Sequence, residues 1–133
     1  MNKFIIYLGL FLIILFSCEK ENVDIDFTVN NWKVVKIKKP DERSYSSTQE
    51  RYILKFYSDS TCSIVLDRNT CWGDYKNISN GNIEFEVFLC TMVCCDSDFA
   101  DDLVRLFPEM SKYYGKGNEL IFEGHGEIIL EKD

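Results

Sequence analysis

The sequence predicts an α+β domain, a compact, antiparallel, barrel-like β-sheet of about six to eight strands with one helix at about residues 96–107. Three observations support this prediction. Apolar and polar residues alternate in several short runs, which is the two-residue period of half-buried strands. The dipeptide Asn80-Gly81 supplies the positive φ angles that a tight hairpin needs. Near Asp96 the spacing of apolar residues changes to that of an amphipathic helix.

The first strands are predicted between residues 32 and 66. The run Trp32–Lys38 is rich in β-branched residues, which favour strands. Residues 51–57 and 61–66 each place every second, apolar side chain on one face, and residues 58–60 between them have the composition of a turn. These two runs are therefore predicted to form a hairpin. Its inward side chains are Tyr52, Leu54, Phe56, Cys62, Ile64 and Leu66.

A second hairpin is predicted around the turn at residues 79–82, which contains Asn80-Gly81. Residues 72–78 form the strand before it. After the turn, apolar residues alternate with Glu84 and Glu86, which is the clearest strand pattern in the chain. The side chains predicted to point inward there are Ile83, Phe85, Val87 and Leu89.

The helix is predicted to begin with Asp96 as its N-cap, and Pro108 is expected to end it. Acidic residues in its first turns suit the positive end of the helix dipole: Asp98, Asp101 and Asp102. The apolar stripe consists of Phe99, Leu103, Leu106 and Phe107. Two further strands, at residues 119–123 and 127–131, are predicted to close the domain.

The first 17 residues have the pattern of an export signal, with Lys3 before an apolar run at residues 4–16 and Ser17 after it. Such a run spans roughly 20 Å as a helix, short of the ~30 Å hydrocarbon core, so a permanent transmembrane helix is not predicted. The ending Leu15-Phe16-Ser17-Cys18 resembles the bacterial lipobox, in which the cysteine is acylated and becomes the new N-terminus. Phe16 stands where that motif usually has a small residue. Ordinary secretion and an uncleaved signal anchor are the alternatives.

Lipidation of Cys18 predicts three parts: a lipoprotein signal peptide at 1–17, a lipidated N-terminus and tether at 18–30, and a folded domain at 31–133. At about 0.8 kcal/mol per buried methylene, two or more acyl chains such as palmitate would hold the protein on a membrane. By resemblance to lipoprotein sorting in Gram-negative bacteria, Glu19 after the cysteine favours the outer membrane of the cell envelope. The sequence leaves open whether the domain faces the periplasm or the cell surface.

The charge argues against one class of partner. The chain has a net charge of −7, and cleavage after Ser17, which removes Lys3 as the only charged residue of the leader, would make it −8. Such an acidic protein has no electrostatic basis for binding nucleic acid or an anionic lipid surface. Aromatic residues make up 14% of the sequence, which predicts a folded core rather than a disordered chain.

Five cysteines follow Cys18, and outside the cytoplasm clustered cysteines usually form disulfides. Cys62 shares a predicted strand face with apolar residues, so it is expected to be the buried, unpaired one. The disulfide candidates are Cys71, Cys90, Cys94 and Cys95.

Spacing does not fix how these four cysteines pair. A bridge between Cys71 and Cys95 would close a loop of about 24 residues and contribute roughly 3 kcal/mol. Cys94 and Cys95 could instead bond to each other. Zinc binding and redox chemistry at the helix N-terminus are alternatives, although the spacing lacks paired Cys-x-x-Cys motifs.

Three blocks of sequence resemble the META domain family of HslJ-like envelope lipoproteins. They are Asn69-Thr70-Cys71-Trp72-Gly73-Asp74-Tyr75, then Cys90-Thr91-Met92-Val93-Cys94-Cys95-Asp96, then Tyr113-Tyr114-Gly115-Lys116-Gly117-Asn118-Glu119-Leu120. The similarity covers about residues 32–131, with Leu66-Asp67-Arg68 where the family has a glycine-rich approach. It implies a compact antiparallel sheet with one helix and a role in envelope stress or antibiotic tolerance. It implies no catalytic residues.

The residues themselves predict no catalytic site, metal site or cofactor. His125, between Glu123 and Glu127, is typical of a hairpin turn, and the acidic run from Asp96 to Asp102 lacks the EF-hand pattern. The expected function is a membrane-anchored, non-enzymatic envelope lipoprotein, either a recognition or a structural module, whose partner would be another envelope protein. An immunity or inhibitor protein against a toxin or hydrolase is one alternative, and a thiol or metal sensor is another.

Overall fold

The structure is a computed structural model that describes residues 24–133. The predicted signal peptide and the predicted lipidation site, Cys18, lie outside the described residues. Within 24–133, ten strands form one antiparallel sheet. They are β1 (Trp32–Lys38), β2 (Ser46–Ser47), β3 (Ile53–Phe56), β4 (Thr61–Val65), β5 (Thr70–Ser79), β6 (Asn82–Phe85), β7 (Leu89–Cys90), β8 (Met110–Lys116), β9 (Glu119–Gly124) and β10 (Gly126–Lys132).

Eight of these strands close into a barrel. Their order around it is β1, β3, β4, β5, β6, β8, β9 and β10, and β10 pairs back onto β1. The short strand β2 lies against β1, and β7 lies against β5 beyond the end of β6. The predicted fold class, a barrel-like antiparallel sheet with one helix, is confirmed.

Aromatic side chains fill the barrel and close one of its ends. Phe27 belongs to a 3-10 turn, Phe27–Val29, which Asp26 caps by accepting a hydrogen bond from Thr28 N. The Phe27 ring packs against four others: Phe56, Tyr75, Tyr113 and Phe122. Phe27 lies in the segment that the sequence assigned to the tether, so the packed domain begins before residue 31.

A helix, α1 (Asp98–Leu106), closes the other end of the barrel. Its predicted apolar stripe is largely buried, because Leu103, Leu106 and Phe107 pack into the core while Phe99 is partly exposed. Phe107 begins the 3-10 turn Phe107–Glu109, which continues from the helix, and its ring stacks on Phe88. Among residues 24–133, no helix has the length and apolar character needed to cross a membrane.

Two elements differ from the sequence prediction. The helix N-cap is Ser97, whose hydroxyl accepts a hydrogen bond from Ala100 N, and not Asp96, which instead binds the backbone before β5. Strand β8 was not predicted, because the β-bulge between Met110 and Lys112 interrupts the alternation that marks a strand.

Candidate recognition surface

Five apolar side chains lie exposed on one side of the barrel, and we call this region the Trp72 surface. Its members are Trp72, Val87, Leu89, Met92 and Val93. Trp72 on β5 is paired with Leu89 on β7, so their side chains lie next to each other on the outer face. Val87, Leu89 and Met92 are 74%, 76% and 99% exposed, so most of their apolar surface is in contact with water. Trp72, Val87 and Leu89 line one groove, and exposed apolar side chains grouped in this way are typical of an interaction site.

This exposure results from a change in strand register that the sequence did not reveal. Tyr75 pairs with Phe85, but Trp72 pairs with Leu89, so one extra residue lies on the β6–β7 side. An extra residue reverses which side chains face the core. Phe88 therefore points inward, and the predicted inward positions of Val87 and Leu89 are wrong.

Gly73 makes room for the inward Phe88. A Cβ atom at Gly73 would lie 3.0 Å from the nearest carbon of the Phe88 ring. Phe88 in turn stacks on Phe107 with ring centroids 4.7 Å apart. The glycine, the inward ring and the start of the second 3-10 turn therefore form one packed unit beneath the exposed residues.

Asn69 holds the loop that continues the surface beyond β7. Its side-chain amide donates to Val93 O at 2.7 Å and to Asp96 Oδ2 at 2.6 Å. Its carbonyl oxygen accepts from Val93 N and from Thr91 Oγ1, both at 2.8 Å. Asn69 is buried, and its donor and acceptor groups are fully used. The Asn69 side chain therefore helps to fix the loop carrying Met92 and Val93 to the barrel, together with the backbone hydrogen bond from Thr91 N to Thr70 O.

Asp67 ties the beginning of α1 to the same region. Its carboxylate accepts hydrogen bonds from Ser97 N, Ser97 Oγ and the Tyr52 hydroxyl, at 2.9, 2.9 and 2.7 Å. Burial opposes ionisation of Asp67, but these hydrogen bonds outweigh it and lower the pKa of the carboxyl group below its usual value. Burial, with a further contribution from Asp67, raises the pKa of Tyr52. The loop and the helix start are thus held by neighbouring polar networks.

The disulfides pair differently from the bridge considered at the sequence level. Cys71 bonds to Cys90 across the β5–β7 pair, and not to Cys95, because Cys71 and Cys90 are direct cross-strand partners. Cys94 bonds to Cys95 within the exposed loop, which is the alternative that spacing left open.

Cys62 is unpaired and buried, as predicted. Burial raises the pKa of its thiol to about 12, so this thiol has no thiolate character near neutral pH. Cys62 therefore packs in the barrel wall as a small apolar side chain.

The Trp72 surface extends toward the end of the barrel opposite Phe27. The Asn69 side chain and the Thr91 loop meet at the start of β5, whereas Phe27 contacts Tyr75 further along the same strand. Five residues of strand separate Thr70 from Tyr75, which is about 16 Å. The loop with Met92 and Val93 therefore lies far from the point where the chain enters the barrel from residue 24.

Two other candidate residues, His125 and Glu127, lie around the start of β10. His125 is exposed, and its Nδ1 lies 3.7 Å from a Glu109 carboxylate oxygen. Glu127 binds Lys38 and the Tyr45 hydroxyl, which fixes the loop after β1 onto β10. Across residues 24–133, no group of three or more histidine, cysteine, aspartate or glutamate side chains is arranged to hold a metal ion.

Comparison with known proteins shows a likeness in fold. No protein-family model and no curated protein sequence matches this chain. A DUF4847 family protein from Bacteroides vulgatus ATCC 8482, whose crystal structure is known, superposes with a TM-score of 0.59. The superposition covers 79% of this chain and 93% of that one, at 13% sequence identity. At this identity the likeness shows the α+β barrel fold alone.

Proposed function

We propose that this protein is a membrane-anchored, non-enzymatic lipoprotein of the cell envelope that recognises another protein through the Trp72 surface. The observation that supports recognition is the exposure of five apolar side chains on a rigid frame. The Cys71–Cys90 disulfide and the Asn69 hydrogen bonds hold that frame. Rigid presentation lowers the entropy lost on binding, which is how small domains achieve useful affinity.

The anchor is proposed from the sequence leader. The apolar run at 4–16 and the lipobox-like ending at Cys18 support lipidation, and Glu19 supports the outer membrane. The position of the loop with Met92 and Val93, about 16 Å along β5 from the Phe27 end, fits a tether that leaves this part of the surface free. The tether and the loop with Met92 and Val93 would then lie at opposite ends of one domain.

Kinship with the META family is part of the same proposal. It is supported by contacts between two of the blocks that suggested it: Asn69 of the first block is hydrogen-bonded to Thr91 and to Asp96 of the second. A role in envelope stress or tolerance would follow from that kinship.

A second candidate function is that of an immunity or inhibitor protein. The observation that favours it is the acidic character of the groove beside Trp72, where Asp74 and Glu86 lie. An acidic surface steers association with a basic active-site rim, and such binding weakens as salt rises.

Two measurements on the full-length chain in its native cells test the proposal. Metabolic labelling with a palmitate analogue should label the wild type and recover it with membranes, whereas Cys18→Ser should lose both. A Cys18→Ser protein that stays membrane-bound and a wild type without label would contradict the anchor.

Recognition is tested by the size of the complex after mild detergent extraction. The wild type should run in a complex that the pair of changes Trp72→Ser and Leu89→Ser disrupts. Ile78→Ser is the matched control, because Ile78 is an exposed apolar residue on the same strand outside the surface. Equal complex size in all three proteins would contradict the proposed surface.

A further inference from the structure

The Trp72 surface contains a groove with a defined chemical character. The groove has a volume of about 300 Å³. Its walls are formed by Thr61, Trp72, Gly73, Asp74, Glu86, Val87 and Leu89. Three of these side chains are apolar and exposed, namely Trp72, Val87 and Leu89. Both ionisable residues among these described wall residues are carboxylates, so the groove combines apolar side chains with negative charge.

The two carboxylates are held near each other by the backbone. Glu86 N donates to Asp74 O at 2.9 Å, so the two residues face each other where β5 passes the bulge. Both side chains are exposed to solvent. Two basic residues lie in the surroundings: the Lys76 amine is 4.0 Å from Glu86, and Lys55 lies two strands away through its pairing with Ser63. Neither lines the groove; the Lys76 amine offsets part of the Glu86 charge, while Asp74 keeps the groove wall negative.

This charge pattern disfavours two possible occupants. A second copy of the chain would bring its own carboxylates against Asp74 and Glu86, because a symmetric interface places the same patch on both sides. An anionic lipid headgroup would meet the same repulsion. A partner with positive charge beside apolar side chains complements both the apolar side chains and the carboxylates of the groove.

We propose that the groove binds an exposed segment of a partner protein in which apolar side chains are flanked by lysine or arginine. The inference rests on the proposed function and specifies its partner. An apolar side chain of the segment packs against Trp72, Val87 and Leu89 and removes these three exposed side chains from water. Flanking cations reach Asp74 and Glu86, and a guanidinium or ammonium group beside the indole face gains cation–π attraction.

Synthetic peptides test this inference directly. The probes are four ten-residue peptides built on one template, with leucines flanked by lysines, by glutamates or by serines, and a fourth with the lysines kept and the leucines replaced by serine. The mature lipidated protein is held in zwitterionic phosphatidylcholine nanodiscs. Fluorescence reports binding at the groove, because Trp72 is half-exposed whereas the other tryptophan, Trp32, is buried.

We expect the leucine–lysine peptide to bind at least about tenfold more tightly than each of the other three. Raising the salt should weaken that binding several-fold, as expected for exposed charges. The double variant Asp74→Asn with Glu86→Gln should lose about fivefold in affinity. The control pair Asp41→Asn with Glu50→Gln removes the same charge from the loop around β2 and should leave affinity unchanged.

Each opposing result has a distinct meaning. If the leucine–serine peptide binds as tightly as the leucine–lysine peptide, the charge selection is wrong, although recognition through the surface stands. If the leucine–glutamate peptide binds best, or no peptide gives a saturable change, the inference is overturned. Self-association in sedimentation experiments that Leu89→Ser abolishes would also overturn it, because the occupant would then be a second copy.

Discussion

The contribution of Asn69 to the loop of the Trp72 surface predicts a large effect of one substitution. Asn69→Ala removes four hydrogen bonds at once, three to the loop at residues 91–93 and one to the Asp96 carboxylate. Water can reach the exposed loop partners, so each of the three neutral bonds contributes only about 0.5 kcal/mol. The bond to the carboxylate contributes about 1.5 kcal/mol. The expected loss in the free energy of unfolding is about 3 kcal/mol.

Urea denaturation monitored by circular dichroism measures this loss. With a denaturant dependence of about 1.5 kcal/mol per molar, the unfolding midpoint should fall by about 2 M. Amide hydrogen exchange should show that protection is lost first at Val93 and its loop neighbours, while the barrel strands keep theirs. The matched control is Asn82→Ala, which removes one exposed hydrogen bond, to Ser79 O, and should cost about 0.5 kcal/mol. If Asn69→Ala costs no more than this control and leaves exchange at Val93 unchanged, the loop is not held as we describe.

Three further predictions concern the frame beneath the surface. Replacing Cys71 and Cys90 by alanine should lower the free energy of unfolding by about 3 kcal/mol, because their bridge closes a loop of 19 residues. Calorimetry should then show a melting temperature about 10 °C lower. Gly73→Ala should cost about 1–2 kcal/mol in urea denaturation, because the new methyl group presses on the Phe88 ring. Asp67→Asn should lower the melting temperature near neutral pH. Because the folded pKa of Asp67 is lowered, its stabilisation is present above the unfolded value of about 3.9 and disappears as the pH falls through the folded value, so the two melting curves should converge in acid.

Different results would contradict each of these three arguments. A variant without Cys71 and Cys90 that has the melting temperature of the wild type would show that the β5–β7 bridge adds nothing to stability. The control for Gly73→Ala is the same change combined with Phe88→Leu, which removes the ring and should make the two effects non-additive. Strict additivity would mean that glycine and ring do not meet. A difference in melting temperature between the wild type and Asp67→Asn that stays constant down to about pH 2 would show that the effect does not come from the carboxylate charge.

Most of the barrel could be predicted from the sequence because its signals are local. Alternation at Tyr52, Leu54 and Phe56 and the turn at Asn80-Gly81 each depend on neighbouring residues, and both match the structure. The buried, unpaired state of Cys62 followed from the same two-residue period. Closure of the barrel by β10 against β1 depends on pairing between distant residues, which alternation does not encode.

The candidate site was mostly missed for a physical reason. The alternation through Val87 and Leu89 suggests burial, and the register change that exposes them depends on Gly73, which lies on another strand. Asn69 was noticed only through the family resemblance, because its partners lie more than 20 residues away in the chain. The signal that could have found part of the surface is the apolar pair Met92-Val93 between Cys90 and Cys94, since a short loop next to a disulfide-bonded strand has little room to bury both side chains.

The most direct test of the account is photo-crosslinking from within the surface in living cells. A photoreactive amino acid placed at position 72 of the full-length chain should yield one discrete crosslinked product in the membrane fraction. The same residue at position 78, on the same strand outside the surface, should yield none. Products of equal yield from both positions, or from position 78 alone, would contradict the claim that the Trp72 surface is where this protein meets its partner.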